Sequence, residues 1–180
     1  MSRSLVLYLA ATAAIALTVT LEAQKTTQLN KGSGGSPHVR TEWTIDGASI
    51  AIEYGRPFLK GRSESQMMPP GRVWRTGADE QTTLKTDKAL KFGALAVPAG
   101  TYGLHTVPGA AEWRLIVSKR ASGWGIPYPE GDDLGRVPMK VGKTKAPVEQ
   151  LTISIDDTPT GATLRIEWGT TSASVPFAVG

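Results

Sequence analysis

Residues 150–168 read QLTISIDDTPTGATLRIEW. Leu151, Ile153 and Ile155 alternate with Thr152 and Ser154, and Leu164, Ile166 and Trp168 oppose Arg165 and Glu167. Side chains on a strand point alternately to its two faces, so each run presents one apolar face and one polar face. The intervening DDTPTG (156–161) has the Asp, Pro and Gly of a tight connection. Together they read as an antiparallel hairpin with one face buried.

The same pattern recurs along the chain. Ile50, Ile52 and Tyr54 alternate in ASIAIEY, as do Trp113, Leu115 and Val117 in EWRLIVS. In the final SASVPFAV, Ala173, Val175, Phe177 and Val179 share a face. Asp46-Gly47 marks a two-residue hairpin. Val97–Gly100 and Val107–Gly109 bracket the short strand TYGLHT, and Gly169-Thr170 is read as a further hairpin turn. No amphipathic helix stands out beyond residue 36. Nine or ten short strands with Gly and Pro turns predict an all-β, antiparallel β-sandwich of jelly-roll-like type. Two segments lack alternation: Arg56–Val73, with three prolines, and Lys119–Pro138, with Trp124, Tyr128 and an Asp-Asp pair. A sandwich carries such loops at its ends, where binding residues concentrate.

Before the strands, the chain opens MSRSLVLYLAATAAIALTVTLEAQ. Arg3, an apolar run from Leu5 to Val19 and a small residue at Ala23 predict a secretory signal peptide over 1–23. The run falls short of the roughly 20 residues that span a bilayer. The mature chain is therefore expected to be exported, periplasmic or extracellular, without membrane insertion. Residues 24–36 (QKTTQLNKGSGGS) read as a flexible leader, and 37–180 as a single sandwich domain. The chain has 180 residues and no cysteine, which excludes thiol catalysis and cysteine-ligated metal. A domain of this length can bury enough surface to do without disulfides. Its 20 basic against 16 acidic residues leave a net charge of +4, scattered rather than clustered, so nucleic acid is not the expected partner.

The chemistry-bearing residues gather in a few places. GRVWRTGADEQTTL (71–84) sets Arg75, Asp79 and Glu80 around a Thr-Gly-Ala turn beside Trp74. One reading pairs Arg75 with Asp79 or Glu80 in a loop clamp. The other makes the carboxylates a general acid and base, as in glycoside hydrolysis. On a strand, neighbours point to opposite faces, so the second reading needs another carboxylate, Glu53 or Asp133. YGRPFLKGR places Arg56, Lys60 and Arg62 beside Tyr54, either to bind an anion or to let Arg56 lock onto Asp79 or Glu80. His38, His105 and a carboxylate such as Glu53 or Glu80 are conceivable ligands, but no metal-binding spacing links them, and no metal or cofactor is assigned. His105 is expected as a hydrogen-bonded strand histidine. Neither an EF-hand ladder nor a GxSxG elbow is present. Trp124 and Tyr128 offer aromatic faces suited to a sugar, or to the core.

The segments SPH (36–38), IEYGRPFLKGR (52–62), PPGRVWRTGADEQTTL (69–84), VPAGTYGLHTVPG (97–109), EWRLIVSK (112–119), DDLGRVPMKV (132–141) and PVEQLTISI (147–155) resemble the bacterial family called Domain of Unknown Function 2911. The resemblance implies an exported protein. The family name carries no established activity, so it supplies no catalytic residues. The resemblance also implies an aromatic residue at the position of His105 in other members, which weakens any essential role for this histidine.

The favoured expectation is a binding module for a carbohydrate or other small polar ligand at a loop rim. Its candidate residues are Tyr54, Arg56, Lys60, Arg62, Arg75, Asp79, Glu80, His105, Trp124 and Tyr128. The competing classes are a hydrolase or lyase acting on envelope or plant polysaccharide through paired carboxylates, and a structural component of an envelope complex. No catalytic residue is named.

Overall fold

Asp46 and Gly47 both take positive φ, 48° and 70°, the backbone of a two-residue primed turn that follows the strand twist. They join β2 (Pro37–Ile45) to β3 (Ala48–Gly55), which pair antiparallel from His38↔Gly55 to Ile45↔Ala48. The computed structural model of the chain describes residues 24–180, so the expected signal peptide lies outside the described residues. The other strands are β1 (Lys25–Lys31), β4 (Thr82–Thr86), β5 (Leu90–Phe92), β6 (Leu95–Val97), β7 (Gly100–Val107), β8 (Glu112–Ser118), β9 (Asp133–Thr158) and β10 (Gly161–Val179).

All neighbours are antiparallel. The ten strands form one open sheet in the order β1-β2-β3-β4-β7-β8-β9-β10-β5-β6. The expected jelly-roll-like sandwich takes the form of this single sheet curled over a shared core. The β5–β6 hairpin leaves between β4 and β7 and joins the far side through β10. Contacts close the two sides: Tyr54 Oη of β3 accepts from the Ile153 N–H of β9 at 3.0 Å. The Trp74 and Trp168 rings stack at 5.9 Å.

The hairpin that decides the fold pairs Ile153↔Ile166 and Ile155↔Leu164, and Leu151, Ile153, Leu164, Ile166 and Trp168 are all core. Burying one such side chain gains about 1.5–3 kcal/mol. An outward pair such as Arg165–Asp156, at 2.8 Å, adds at most about 1 kcal/mol. Core burial therefore sets the register.

Three expectations change. Residues 24–36 are not a free leader: Lys25–Lys31 pairs with β2 from Lys25↔Glu42 to Lys31↔Pro37. Its side chains are all exposed, so backbone hydrogen bonds rather than burial hold it, and alternation could not reveal it. Gly169-Thr170 does not reverse the chain. Gly169 holds φ 63° within a bulge, and both halves of β10 pair with the same strand, β9. Finally, the irregular Arg56–Val73 segment contains a one-turn helix, α1 (Glu64–Met67), started by a Ser63–Gln66 capping box. The Glu64 carboxylate accepts from Thr170 N–H at 2.6 Å and from the Thr171 hydroxyl, pinning the loop to the β10 bulge. Among the described residues, no helix is long and apolar enough to cross a membrane.

Candidate functional site

Trp74 anchors the 71–84 window. Its N–H and C=O exchange hydrogen bonds with Thr106 of β7, at 2.7 and 2.9 Å. The threonines bond the turn as their type suggests: Thr76 Oγ1 reaches Trp74 O at 3.2 Å, and Thr82 Oγ1 donates to Thr76 O at 2.9 Å. Between these anchors the chain leaves strand geometry, with Thr76 and Asp79 at φ 58° and 63°. Left-handed backbone costs roughly 1–2 kcal/mol for a residue with a Cβ, less for Asp, which tolerates it.

That turn overturns the opposite-faces argument. Asp79 and Glu80 both reach one imidazole: His38 Nε2 lies 3.3 Å from Asp79 Oδ2, and Nδ1 lies 3.4 Å from Glu80 Oε2. Only the doubly protonated ring can donate to both carboxylates. Asp79 Oδ1 also accepts from Gly34 N–H at 3.0 Å and from the Ser33 hydroxyl at 3.3 Å. Burial pushes the Asp79 carboxyl up, but the Gly34 N–H, His38 and the Ser33 hydroxyl outweigh it and hold its pKa below the usual value. The knot requires glycine. A Cβ on Gly32 would sit 1.8 Å from Asp79 Oδ2, and one on Gly55 would sit 2.3 Å from Ala78 O.

The expected clamp is therefore built from different partners. Arg75 makes no ion pair among the described residues: its Nη1 donates to the backbone carbonyls of Asp79 (2.5 Å) and Trp124 (3.2 Å), and its guanidinium lies 5.0 Å from the Trp124 ring centre. Burial pulls the Arg75 pKa down, against the nearby charges of Asp79 and Glu80. Arg56 does not meet Asp79 or Glu80 either. It donates to Leu151 O at 3.0 Å and Thr152 Oγ1 at 3.1 Å, tying its loop to β9. His38, rather than an arginine, is the side chain that faces both carboxylates, and the two arginines donate to carbonyls.

A pocket of about 490 Å³ opens beside this knot, within the roughly 300–1,000 Å³ of small-molecule sites. Four segments converge on it. Gly34–Ser36 comes from the former leader, Pro57–Met67 from the first loop, Arg75–Asp79 from the window and Ile126 from the second loop, with Trp74 and Trp168 behind them. Of the sequence candidates, Lys60, Arg62, Arg75 and Asp79 line it. Trp124 stands against Arg75, and Glu80 reaches the site only through His38.

The other candidates lie elsewhere. Tyr54 is a core residue whose hydroxyl meets Ile153, and burial pushes its pKa up. His105 is fully buried on the outer side of β7 beneath the Lys119–Asp132 segment, edge-on to Tyr128 at 5.0 Å between ring centres. Among the described residues, neither of its ring nitrogens finds a hydrogen bond of ordinary geometry, contrary to expectation. Burial pulls its pKa down, against the opposing influence of the Gly125 backbone and Asp133. The Tyr128 hydroxyl donates to Asp133. Burial and that carboxylate push the phenol up to about 12.

Among the described residues, no group of three His, Asp or Glu side chains has the geometry to hold a metal ion. Sequence reasoning missed Phe58 and Ile126 as lining residues, and missed His38 as the partner of the window carboxylates. Apolar loop residues were the available signal for the first two. His38 offered none beyond its place at the start of a strand.

A family model described as "Protein of unknown function (DUF2911)" matches residues 36–177. No curated protein and no solved structure matches the chain.

Proposed function

The chain belongs to the DUF2911 family of proteins of unknown function, and from that premise we propose that it is a non-catalytic, exported binding module. Its ligand is a carbohydrate or another small polar molecule held in the rim pocket. The observation that carries this reading is the placement of exposed apolar side chains. Four large ones are exposed among the described residues, and three of them, Phe58, Trp124 and Ile126, stand on the two loops around the pocket. Such side chains bury apolar area when a ligand with a C–H face settles on them.

The pocket gives the hydrolase alternative little support. Asp79 is the carboxylate that lines it, and both of its oxygens are already engaged. A glycan array followed by calorimetry tests the proposal. Binding that falls at least tenfold in Phe58→Ala or Ile126→Ala, at unchanged thermal stability, supports it. No ligand across the array, or full affinity in both variants, refutes it.

A further inference from the structure

We infer that the ligand of this pocket carries a carboxylate, as a uronate-type acidic sugar does, and that Arg75 selects it. The inference rests on the binding reading above and narrows it.

It begins with the charges around the pocket. Three cations line it, Lys60, Arg62 and Arg75, against one acid, Asp79. Among the described residues, none of the three lies within ion-pair distance of a carboxylate. Asp79 does not pair with them: its oxygens accept from Gly34 N–H and Ser33 and face His38. Among the described residues, the pocket lining therefore carries more positive than negative charge, with no ion pair to the three cations.

The donors are also partly arranged. Arg75 Nη1 is held by two carbonyls and its guanidinium lies near the Trp124 ring, while Nε and Nη2 make no hydrogen bond among the described residues. That pair is the edge of a guanidinium that meets a carboxylate through two parallel bonds. Arg62 is held the other way round: its Nε and Nη2 donate to the carbonyls of Leu59 and Phe58, so it offers charge and Nη1 but not the fork. In Lys60 it is the backbone N–H that Glu149 takes, at 2.7 Å, so the ammonium makes no bond within the described residues. Holding arginines by carbonyls fixes them without cancelling their charge. This lowers the ordering cost when an anion binds. Phe58 and Ile126, 36% and 51% exposed, add apolar surface beside these donors. A sugar ring bearing a carboxylate matches both features, with one charged edge and one C–H face.

The test is calorimetry on the folded chain with three probes of equal length: oligogalacturonate, neutral galacto-oligosaccharide and sulfated galacto-oligosaccharide. The expected result is at least tenfold tighter binding of the uronate than of either other probe, weakening as salt is raised. Arg75→Lys keeps the charge and removes the fork, and it should lose about tenfold on the uronate alone. Lys60→Ala, at an exposed position whose side chain holds no structural bond, should lose several-fold and serves if Arg75→Lys unfolds. Equal binding of neutral and uronate probes overturns the inference and leaves the rim-binding reading standing. A sulfated probe that binds as tightly as the uronate overturns the carboxylate assignment. Full uronate affinity in both variants removes the assigned residues. Failure of all three probes overturns the inference, while the rim-binding reading falls only if the glycan array also finds no ligand.

Discussion

Asp79→Asn isolates one bond of the knot that shapes the pocket. Gly34 N–H and Ser33 both donate to Oδ1, whereas His38 faces Oδ2. Asparagine keeps the first acceptor, tolerates the φ of 63° at this position, and replaces only the oxygen that meets His38. A hydrogen bond to a charged group contributes about 1.5–3 kcal/mol. At 3.3 Å the lower half of that range applies, so a loss of about 2 kcal/mol is expected at pH 7. For a domain of this size that lowers Tm by roughly 4–8 °C. Asp79→Ala removes all three bonds, and its loss should be about twice as large.

The pH dependence gives a second, independent check. The folded pKa of Asp79 lies below its ordinary value. Its stabilisation is therefore present above the unfolded pKa of about 3.9 and is lost as pH falls through the lower folded value. The gap between wild type and Asp79→Asn should hold from pH 7 to 5 and close below about pH 4. Urea unfolding followed by tryptophan fluorescence at pH 7, 5 and 3 measures it. A gap under about 0.5 kcal/mol at pH 7, or one undiminished at pH 3, refutes the reasoning. A double-mutant cycle with His38→Gln should show coupling of about 1 kcal/mol or more.

Three further outcomes are expected. His105 is buried with a lowered pKa, so its neutral form stabilises fully above about pH 6.5 and progressively less below it. His105→Phe should therefore lose less stability than wild type between pH 7 and 5, read by urea midpoints, and parallel losses would contradict this. Gly55→Ala puts a Cβ 2.3 Å from the Ala78 carbonyl oxygen, a backbone clash that should cost about 1–3 kcal/mol and broaden the His38 resonances in NMR. Glu64→Ala frees the first loop from Thr170 and Thr171. Cleavage within 56–72 by limited proteolysis should accelerate, at a stability cost of about 1–2 kcal/mol.

The strands were legible because the alternation of Leu151, Ile153 and Ile155 depends only on residues two apart. The Asp-Gly turn was legible for a similar reason, since its backbone needs are met within two residues. β1 was not, because an exposed edge strand carries no burial signal and its bonds are made by backbone common to every sequence. The loop rim was half legible. Lys60, Arg62 and Arg75 stood out as cations on irregular segments, and they do line the pocket. Tyr54, Arg56 and His105 looked equally suitable, yet one is core, one ties its loop to β9 and one lies under a different loop.

By itself, then, the sequence determined an all-β antiparallel chain, its main turns and the two loops that carry its free chemistry. Only the tertiary structure decided which charges meet. Local alternation reports which face of a strand is buried, but a carboxylate takes whichever donor the closed sheet brings within reach. Here that donor is His38, 41 residues away, brought beside Gly55 by the β2–β3 pairing. His38 faces Asp79 and Glu80, and Arg75 has carbonyl partners and, among the described residues, an open edge. That unpaired positive charge, invisible in the order of residues, is what the proposed carboxylate ligand would meet.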